Sequence, residues 1–317
     1  MEIVNLEKIR SVFNREDILE AVRQAFIGHY HRRYVTPMPG QLLFDAPVGD
    51  CHIKYGYSVG GAIYVIKIAS GFYENAALGV PVNNGMVLAF SRKTGEPLVL
   101  FQDEGWLTSW RTAAAGTLAA SLAISRQPKV LGLIGAGHQA ELQATWIARS
   151  MGIEEVRIWG RNEERALKLA KKLSESGFTA NVSPSTAALL NEARLVVTAT
   201  PSTTPLFPSD EVQPGTHIVA LGADSPGKQE LDPKLFGRAR LIATDDHEQC
   251  IDHGDLSHAV KAGVIPGDID QSLGAILESI TTFEIAKDAI SIVDLTGLPA
   301  QDIENATAFC RLLGIVK

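Results

Sequence analysis

Val130-Leu-Gly-Leu-Ile-Gly135-Ala-Gly137-His138-Gln139-Ala140 is the stretch on which the fold turns. An apolar, strand-like run ends in a GxGxxA turn and passes directly into a segment with helical character. Each small residue has a physical task. Gly135 allows the tight turn, Gly137 lets backbone amides approach a pyrophosphate at the helix N-terminus, and Ala140 keeps that helix close to the sheet. A glycine-rich turn is weak evidence by itself. Here it stands between a strand and a helix, and a second strand, 156–159, follows at the distance a dinucleotide-binding βαβ unit requires.

C-terminal to this motif the grammar alternates. Strands are expected at 130–134, 156–159, 195–199, 217–221, 241–243 and 290–294, and helices at 139–151 and 163–176, which together argue for a parallel, doubly wound sheet. N-terminal to it, 15–33 reads as a helix with Ile18, Ala21, Val22, Ala25 and Phe26 on one face. From about 39 to 102 the texture changes to short β-branched runs punctuated by Gly, Pro and Asn, such as 63–68, 86–90 and 97–101. A helix at 110–124 leads into the glycine turn, and a tail helix at 301–315 returns to the first domain. The expected fold class is α/β: a Rossmann-type doubly wound parallel sheet at 121–298, plus a mixed α+β substrate and dimerisation domain built from 1–120 and 299–317.

The bulk composition narrows the function. The chain of 317 residues is 45% hydrophobic and 21% charged, a water-soluble globular composition. Its formal net charge of −7 argues against a nucleic-acid partner, which needs a basic surface. The three cysteines, Cys51, Cys250 and Cys310, form neither a disulfide framework nor a CxxC zinc pair. The N-terminal MEIVNLEKIRSVFNRED lacks a secretory pattern, and no apolar run reaches the roughly 18 residues of a membrane span. The expectation is a cytoplasmic protein without a membrane partner. The segment Asp245-Asp246-His247-Glu248-Gln249-Cys250-Ile-Asp252-His253-Gly-Asp255-Leu-Ser-His258 is rich in metal-ligand residue types, but no spacing in it matches a zinc motif, so it reads as a polar loop and helix start with no metal.

Cofactor choice is written after the second strand. NAD enzymes commonly place Asp or Glu there for the ribose 2′-hydroxyl. This chain reads Ile158-Trp159-Gly160-Arg161-Asn162, with an arginine and no acid. A guanidinium binds a 2′-phosphate that a carboxylate would repel. NADP(H) is therefore preferred, with NAD(H) as the alternative, and Arg161 and Asn162 join the cofactor-binding residues; a solvated surface charge is the other reading of Arg161.

Four blocks in order carry a family resemblance: Lys67-Ile-Ala-Ser-Gly71-Phe-Tyr-Glu-Asn75, Leu107-Thr-Ser-Trp-Arg111-Thr112-Ala-Ala114, the glycine turn, and Leu221-Gly-Ala-Asp224-Ser-Pro-Gly227-Lys228. Over nearly its whole length the chain resembles the ornithine cyclodeaminase/mu-crystallin family. That family includes ornithine and lysine cyclodeaminases, alanine and opine-type dehydrogenases, cyclic ketimine reductases and NADPH-binding mu-crystallin. The resemblance implies that Lys67 contacts the substrate carboxylate and that Arg111 and Thr112 open a helix beside the cofactor. It implies that Asp224 serves proton transfer at the substrate nitrogen. It also implies that His138, Gln139, Thr200 and Lys228 contact the cofactor, and that Thr296 and Gly297 lie near the nicotinamide and the substrate. Pairing through the non-Rossmann domain, hence a homodimer, is implied as well.

Two departures weigh against cyclodeamination. Cyclodeaminases of the family carry a carboxylate-clamping arginine near a Pro-rich stretch, where this chain reads Thr36-Pro-Met-Pro39-Gly-Gln41, which leaves Gln41 as the substrate-side candidate. They also keep an acid where this chain has Gly160. Reducing a C=N bond beside a carboxylate needs a hydride donor, a cation for the carboxylate, and a carboxyl group near the nitrogen. Lys67, Arg111 and Asp224 are candidates for the last two. From pattern alone Lys67, inside the apolar strand Tyr64-Val-Ile-Lys67-Ile68, points either to solvent or into a polar pocket, and Asp224 also suits an Asx turn before Ser225-Pro226-Gly227. The favoured reading is an NAD(P)H-dependent reductase of 1-pyrroline-2-carboxylate or 1-piperideine-2-carboxylate, giving L-proline or L-pipecolate. The alternatives are ornithine cyclodeamination, alanine or opine-type dehydrogenation, and a non-catalytic NADPH-binding protein.

Overall fold

The computed structural model describes residues 1–316; Lys317, the last residue of the expected first domain, lies outside them. The chain divides into two compact units, Met1–Thr112 with Leu298–Lys317, and Ala113–Gly297. Among the described residues no helix is long and apolar enough to cross a membrane.

The first unit opens with β1 (Glu2–Asn5), α1 (Leu6–Val12) and α2 (Arg15–Tyr30). Asn14 caps α2 by accepting from the Asp17 N–H, and Ile18, Ala21, Val22, Ala25 and Phe26 form its buried stripe. Six strands follow: β2 (Tyr34–Val35), β3 (Gly40–Asp45), β4 (Val48–Ser58), β5 (Ile63–Phe72), β6 (Asn83–Ser91) and β7 (Pro97–Gln102). They run in the order β1-β7-β6-β5-β4-β2, with β3 also paired to β4. All pairings are antiparallel except β1 with β7. The two faces of this sheet differ. Ile63, Val65, Lys67, Val87 and Ala89 are buried on one, whereas Leu42, Phe44, Tyr55 and Met86 are exposed on the other. Helix α3 (Trp106–Ala120) follows, and the chain passes from the first unit to the second within it, between Thr112 and Ala113.

The second unit is a parallel eight-stranded sheet. Its elements are β8 (Val130–Ile134), α4 (His138–Met151), β9 (Glu155–Trp159), α5 (Glu163–Glu175), β10 (Thr179–Val182), α6 (Thr186–Glu192), β11 (Leu195–Thr198) and β12 (His217–Ala220). Then come α7 (Pro233–Phe236), β13 (Ala239–Thr244), α8 (His247–His253), α9 (Asp255–Lys261), β14 (Gln271–Ser272), α10 (Leu273–Glu278) and β15 (Ile290–Asp294). The order β10-β9-β8-β11-β12-β15-β13-β14 reverses direction between β8 and β11, the switch point where doubly wound sheets bind ligands at the strand C-termini. The central strands are buried on both faces, which is why they read as continuous apolar runs.

Helix α11 (Pro299–Leu312) returns to the first unit and packs on α2, β4 and β5. Phe309 stacks on Phe13 with ring centroids 3.7 Å apart, and Ile303 lies over Gly56 of β4. This packing lays the first turn of α11 on the sheet face that carries Lys67.

Candidate functional site

In the first unit the sheet supplies two lysines and the helices supply what surrounds them. Lys54 on β4 and Lys67 on β5 are direct cross-strand partners, so both side chains project from the same face. That face lies under α11, and Lys67 is 2% exposed, Lys54 7%, Arg111 5% and Asp302 6%. Lys67 points inward, and Asp302 provides its countercharge: Nζ lies 3.0 Å from Oδ2 and 3.1 Å from Oδ1. Arg111, in the first unit's part of α3, brings Nε to 3.3 Å from the same carboxylate and donates from Nη1 to Gln301 Oε1 at 2.7 Å. Asp302 sits in the first turn of α11, where the helix dipole also favours a negative charge.

The electrostatics follow from burial and crowding of like charge. Burial, together with the neighbouring Arg111 and Lys54 cations, lowers Lys67 to about 7 in spite of Asp302. Burial alone would raise Asp302, but Lys67, Arg111 and Lys54 outweigh it and hold the carboxyl below its ordinary value. Asp103, fully buried before α3, is raised by burial, and its Oδ2 accepts from the Leu107 N–H to cap that helix. Gln301 is completely buried and its Nε2 has no hydrogen-bond partner. Gln41 on β3 stands opposite His52 on the same face, and its buried Nε2 also has none. The arrangement is a buried, cation-rich cluster with side-chain amide donors beside it, suited to receive a carboxylate.

In the second unit the glycine turn takes the form the dinucleotide motif requires. Gly135 has φ +128°, and a Cβ there would lie 2.6 Å from the Ala199 carbonyl oxygen, so the protein itself demands glycine. Gly137, the N-cap of α4, has ordinary extended backbone and nothing within 4 Å of where its Cβ would be. A glycine that the protein does not crowd leaves open the space a closely approaching ligand would fill. No side-chain hydrogen bond from the N-cap closes α4, whose first turn opens with His138 and Gln139 where a dinucleotide motif places a phosphate. The residues present thus fit a dinucleotide. After β9, a Cβ on Gly160 would lie 3.1 Å from Ala136 Cβ, Arg161 is exposed, and the Asn162 side chain caps α5 by accepting from Arg165 N–H.

Asp224 follows β12 and is 43% exposed at the side chain; its Oδ1 accepts from Lys228 Nζ at 2.6 Å and from Ser225 Oγ at 3.1 Å. The loops around it are tied by buried acids. Glu230 accepts from the Thr198 hydroxyl, the Thr200 N–H and hydroxyl, and the Gly222 N–H, each at 2.7 Å. Asp255 accepts from the Glu230 and Leu231 N–H groups, and Asp294 from the Leu256 N–H. Asp245 holds Thr296 by its N–H and hydroxyl and Gly297 by its N–H, the last at 2.6 Å. Burial and repulsion from neighbouring carboxylates push Glu230 up to about 7 and Asp294 well above its ordinary value, and burial pushes Asp255 up to about 6.

Lys67 and Arg111 therefore meet on one carboxylate, with Thr112 next along α3, its hydroxyl donating to the Thr108 carbonyl. The glycine turn, Arg161, Thr200, Asp224, Lys228, Thr296 and Gly297 all lie at the C-terminal edge of the parallel sheet, and Thr200, Thr296 and Gly297 are bound to buried acids. Sequence reasoning did not find Asp302, Gln301, Lys54, Asp103 or Glu230. The polar segment 245–258 supplies Asp245 and Asp255 as loop ties, while Asp246 caps α8 and His247 pairs with Asp270. Among the described residues no group of three or more His, Cys, Asp or Glu could hold a metal ion.

The comparisons agree with this fold. The model of the ornithine cyclodeaminase/mu-crystallin family matches residues 4–310. An uncharacterized cyclodeaminase of Sinorhizobium fredii is 36% identical over 86% of this chain and 84% of its own. A Delta(1)-pyrroline-2-carboxylate reductase of Bacillus cereus is 29% identical over 96% and 94%. Among solved structures, an archaeal alanine dehydrogenase dimer with bound NAD superposes with a TM-score of 0.88 at 30% identity, covering 98% of this chain and 95% of that one. The iminosuccinate reductase of Paracoccus denitrificans in complex with NAD+ also gives 0.88, at 29% identity, covering 100% and 98%. The chain belongs to the ornithine cyclodeaminase/mu-crystallin family.

Proposed function

We propose that the protein is an NAD(P)H-dependent reductase of α-imino acids, with cyclic imines such as 1-pyrroline-2-carboxylate or 1-piperideine-2-carboxylate reduced to L-proline or L-pipecolate. The observation that carries this reading is the buried Lys67–Asp302–Arg111 cluster, a carboxylate receptor in a chain that also bears a dinucleotide turn. Lys67 and Arg111, braced on Asp302, bind and orient the substrate carboxylate, with Gln41 and Gly297 on the substrate side. The cofactor would be held by the amides of Gly135, Gly137, His138 and Gln139, with Arg161 and Asn162 at the adenosine end and Arg111, Thr112, Thr200, Lys228 and Thr296 at further contacts. When bound, it supplies the hydride. Asp224 holds the proton on the substrate nitrogen, because a protonated imine accepts hydride far better than a neutral one, and Lys228 keeps that carboxylate oriented.

The preference for NADP(H) rests on Arg161 without an acid at Gly160. A homodimer is supported by the exposed apolar sheet face of Leu42, Phe44, Tyr55 and Met86, a surface of the kind that marks an interface, and by the dimeric alanine dehydrogenase relative. The test is direct. Purified protein given 1-pyrroline-2-carboxylate should oxidise NADPH faster than NADH, and Arg161→Ala should narrow that difference. The similarity to a cyclodeaminase keeps one second reading: ammonia released from L-ornithine without net cofactor oxidation, together with no imine reduction, would replace the reductase reading with it.

A further inference from the structure

Asp224 stands in a loop that the protein closes on itself. Gly222, two residues before it, donates its N–H to Glu230 Oε2 at 2.7 Å, and Lys228 reaches back to Asp224 at 2.6 Å. Glu230 and Leu231 donate their own N–H groups to Asp255 Oδ1 at 2.8 and 2.9 Å, which fixes the backbone from which the Glu230 side chain departs. Glu230 Oε1 accepts from the N–H and the hydroxyl of Thr200, in the loop after β11, and the Thr198 hydroxyl completes the set on Oε2. Strands β11 and β12 are neighbours, and their two loops meet here: a Cβ on Gly222 would collide with the Thr200 carbonyl oxygen and with the Glu230 carboxyl. Glu230 is completely buried, a place where a carboxyl persists only with its oxygens occupied. Each oxygen has one hydroxyl donor and one backbone N–H donor. A hydroxyl can turn and accept instead, but a backbone N–H cannot. A carboxyl answers both N–H groups at once. The isosteric amide has a single acceptor oxygen and must set its NH2 against the other N–H.

We propose that Glu230 is a positioning residue for hydride transfer: shared between Thr200 and Gly222, its carboxyl holds the cofactor-side loop after β11 and the Asp224 loop after β12 in one fixed relation. This rests on the reductase reading, in which Thr200 contacts the cofactor and Asp224 holds the proton on the substrate nitrogen. Glu230 acts through the two backbone N–H groups. They keep the carboxyl at the imine nitrogen in register with the hydride donor at the imine carbon.

The experiment compares the native protein with Glu230→Gln and Thr198→Val, using 1-pyrroline-2-carboxylate and reduced cofactor with hydrogen or deuterium at the transferred position. Rates are referred to cofactor sites counted by titration, and melting temperatures are measured alongside. Glu230→Gln should lower kcat roughly 10- to 100-fold while KM for the imine changes less than about threefold, because a displaced loop costs alignment more than binding. The deuterium effect on kcat should rise as hydride transfer becomes the slow step. Thr198→Val removes one donor to the same carboxyl but leaves both N–H ties, so it should lower the melting temperature and keep kcat near the native value. Native kcat and deuterium effect in folded Glu230→Gln would overturn the proposal and leave Glu230 a tie of the fold alone. An equal loss of kcat in Thr198→Val would overturn it too. If Glu230→Gln does not fold, Glu230→Asp, with both acceptors but one methylene short of spanning the loops, is read by the same split. Absence of cofactor oxidation by the native protein with every imine would instead remove the reductase reading, and with it this role for Glu230.

Discussion

Beneath α11, Lys54, Lys67 and Arg111 crowd around the carboxylate of Asp302; at the C-terminal edge of the parallel sheet, Glu230, Asp245, Asp255 and Asp294 crowd around one another. Both groups are buried, and in both like charges face each other. They are compensated differently. The acids accept from backbone N–H groups and threonine hydroxyls of β11 and of the loops that follow β11, β12 and β15, although the buried Asp255 Oδ2 has no hydrogen-bond partner among the described residues. Lys67 and Arg111 share Asp302, and the side-chain amide nitrogens of Gln301 and Gln41 have no hydrogen-bond partner among the described residues. The acids spend most of their lone pairs tying loops together, whereas the cluster beneath α11 keeps side-chain amide donors for what arrives.

The largest effect that could break this contrast is loss of Asp302. Asp302→Asn leaves the buried cations without their shared countercharge and should cost about 3–5 kcal/mol of stability in denaturant titrations. Substrate carboxylate or a simple carboxylate ligand should restore part of it. A cost below ~1 kcal/mol would mean that the cations are better compensated than the cluster suggests.

Next in size is Asp224, an acid at the same edge of the sheet whose partner is Lys228. Asp224→Asn should lower kcat for imine reduction by about 100-fold with cofactor affinity unchanged, read from steady-state kinetics and cofactor titration. An equal loss in cofactor binding would reassign Asp224 to holding the loop with Lys228.

A third effect, of comparable size, separates the regions by pH. Glu230 is raised from 4.5 to about 7 in the folded state. Its contribution to stability is therefore complete below about 4.5 and is lost as pH rises through 7. The difference in unfolding free energy between the parent and Glu230→Gln should shrink over that window by about 3 kcal/mol. His217, fully buried between the Ser291 hydroxyl and the Ala119 carbonyl and lowered to about 4, works in the opposite direction: its contribution is present above 6.5 and lost as pH falls toward 4. Comparing variant with parent removes that background. A pH-independent difference would mean that Glu230 stays ionised.

Much of the parallel sheet was legible because strands buried on both faces announce themselves as apolar runs. Val130–Ile134 and Ile290–Asp294 occur as read. The α2 stripe was legible from its period. The short polar strand Thr179–Val182 and the hairpin of β3 and β4 were not, since their residues alternate without a strong apolar face. Lys67 and Arg111 stood out through the family blocks around them. Asp302 did not, because an acid in the first turn of an amphipathic helix is what capping alone would place there, and its partner Lys67 lies 235 positions earlier in the chain. Lys54 carried a usable signal, a lysine inside a strand that pairs with a second lysine-bearing strand. Only the register makes the two meet.

The placement of α11 bears on how the molecule is made. Ribosomal synthesis delivers Lys54, Lys67 and Arg111 first, then the whole parallel-sheet unit, and only afterwards the helix carrying Asp302. The N-terminal sheet must therefore wait, its future interior face uncovered and its positive charges unanswered, while the segment downstream of it can already fold. The usual N-to-C order of maturation is inverted, and the nascent chain is most exposed to chaperones and proteases at the end that emerged first.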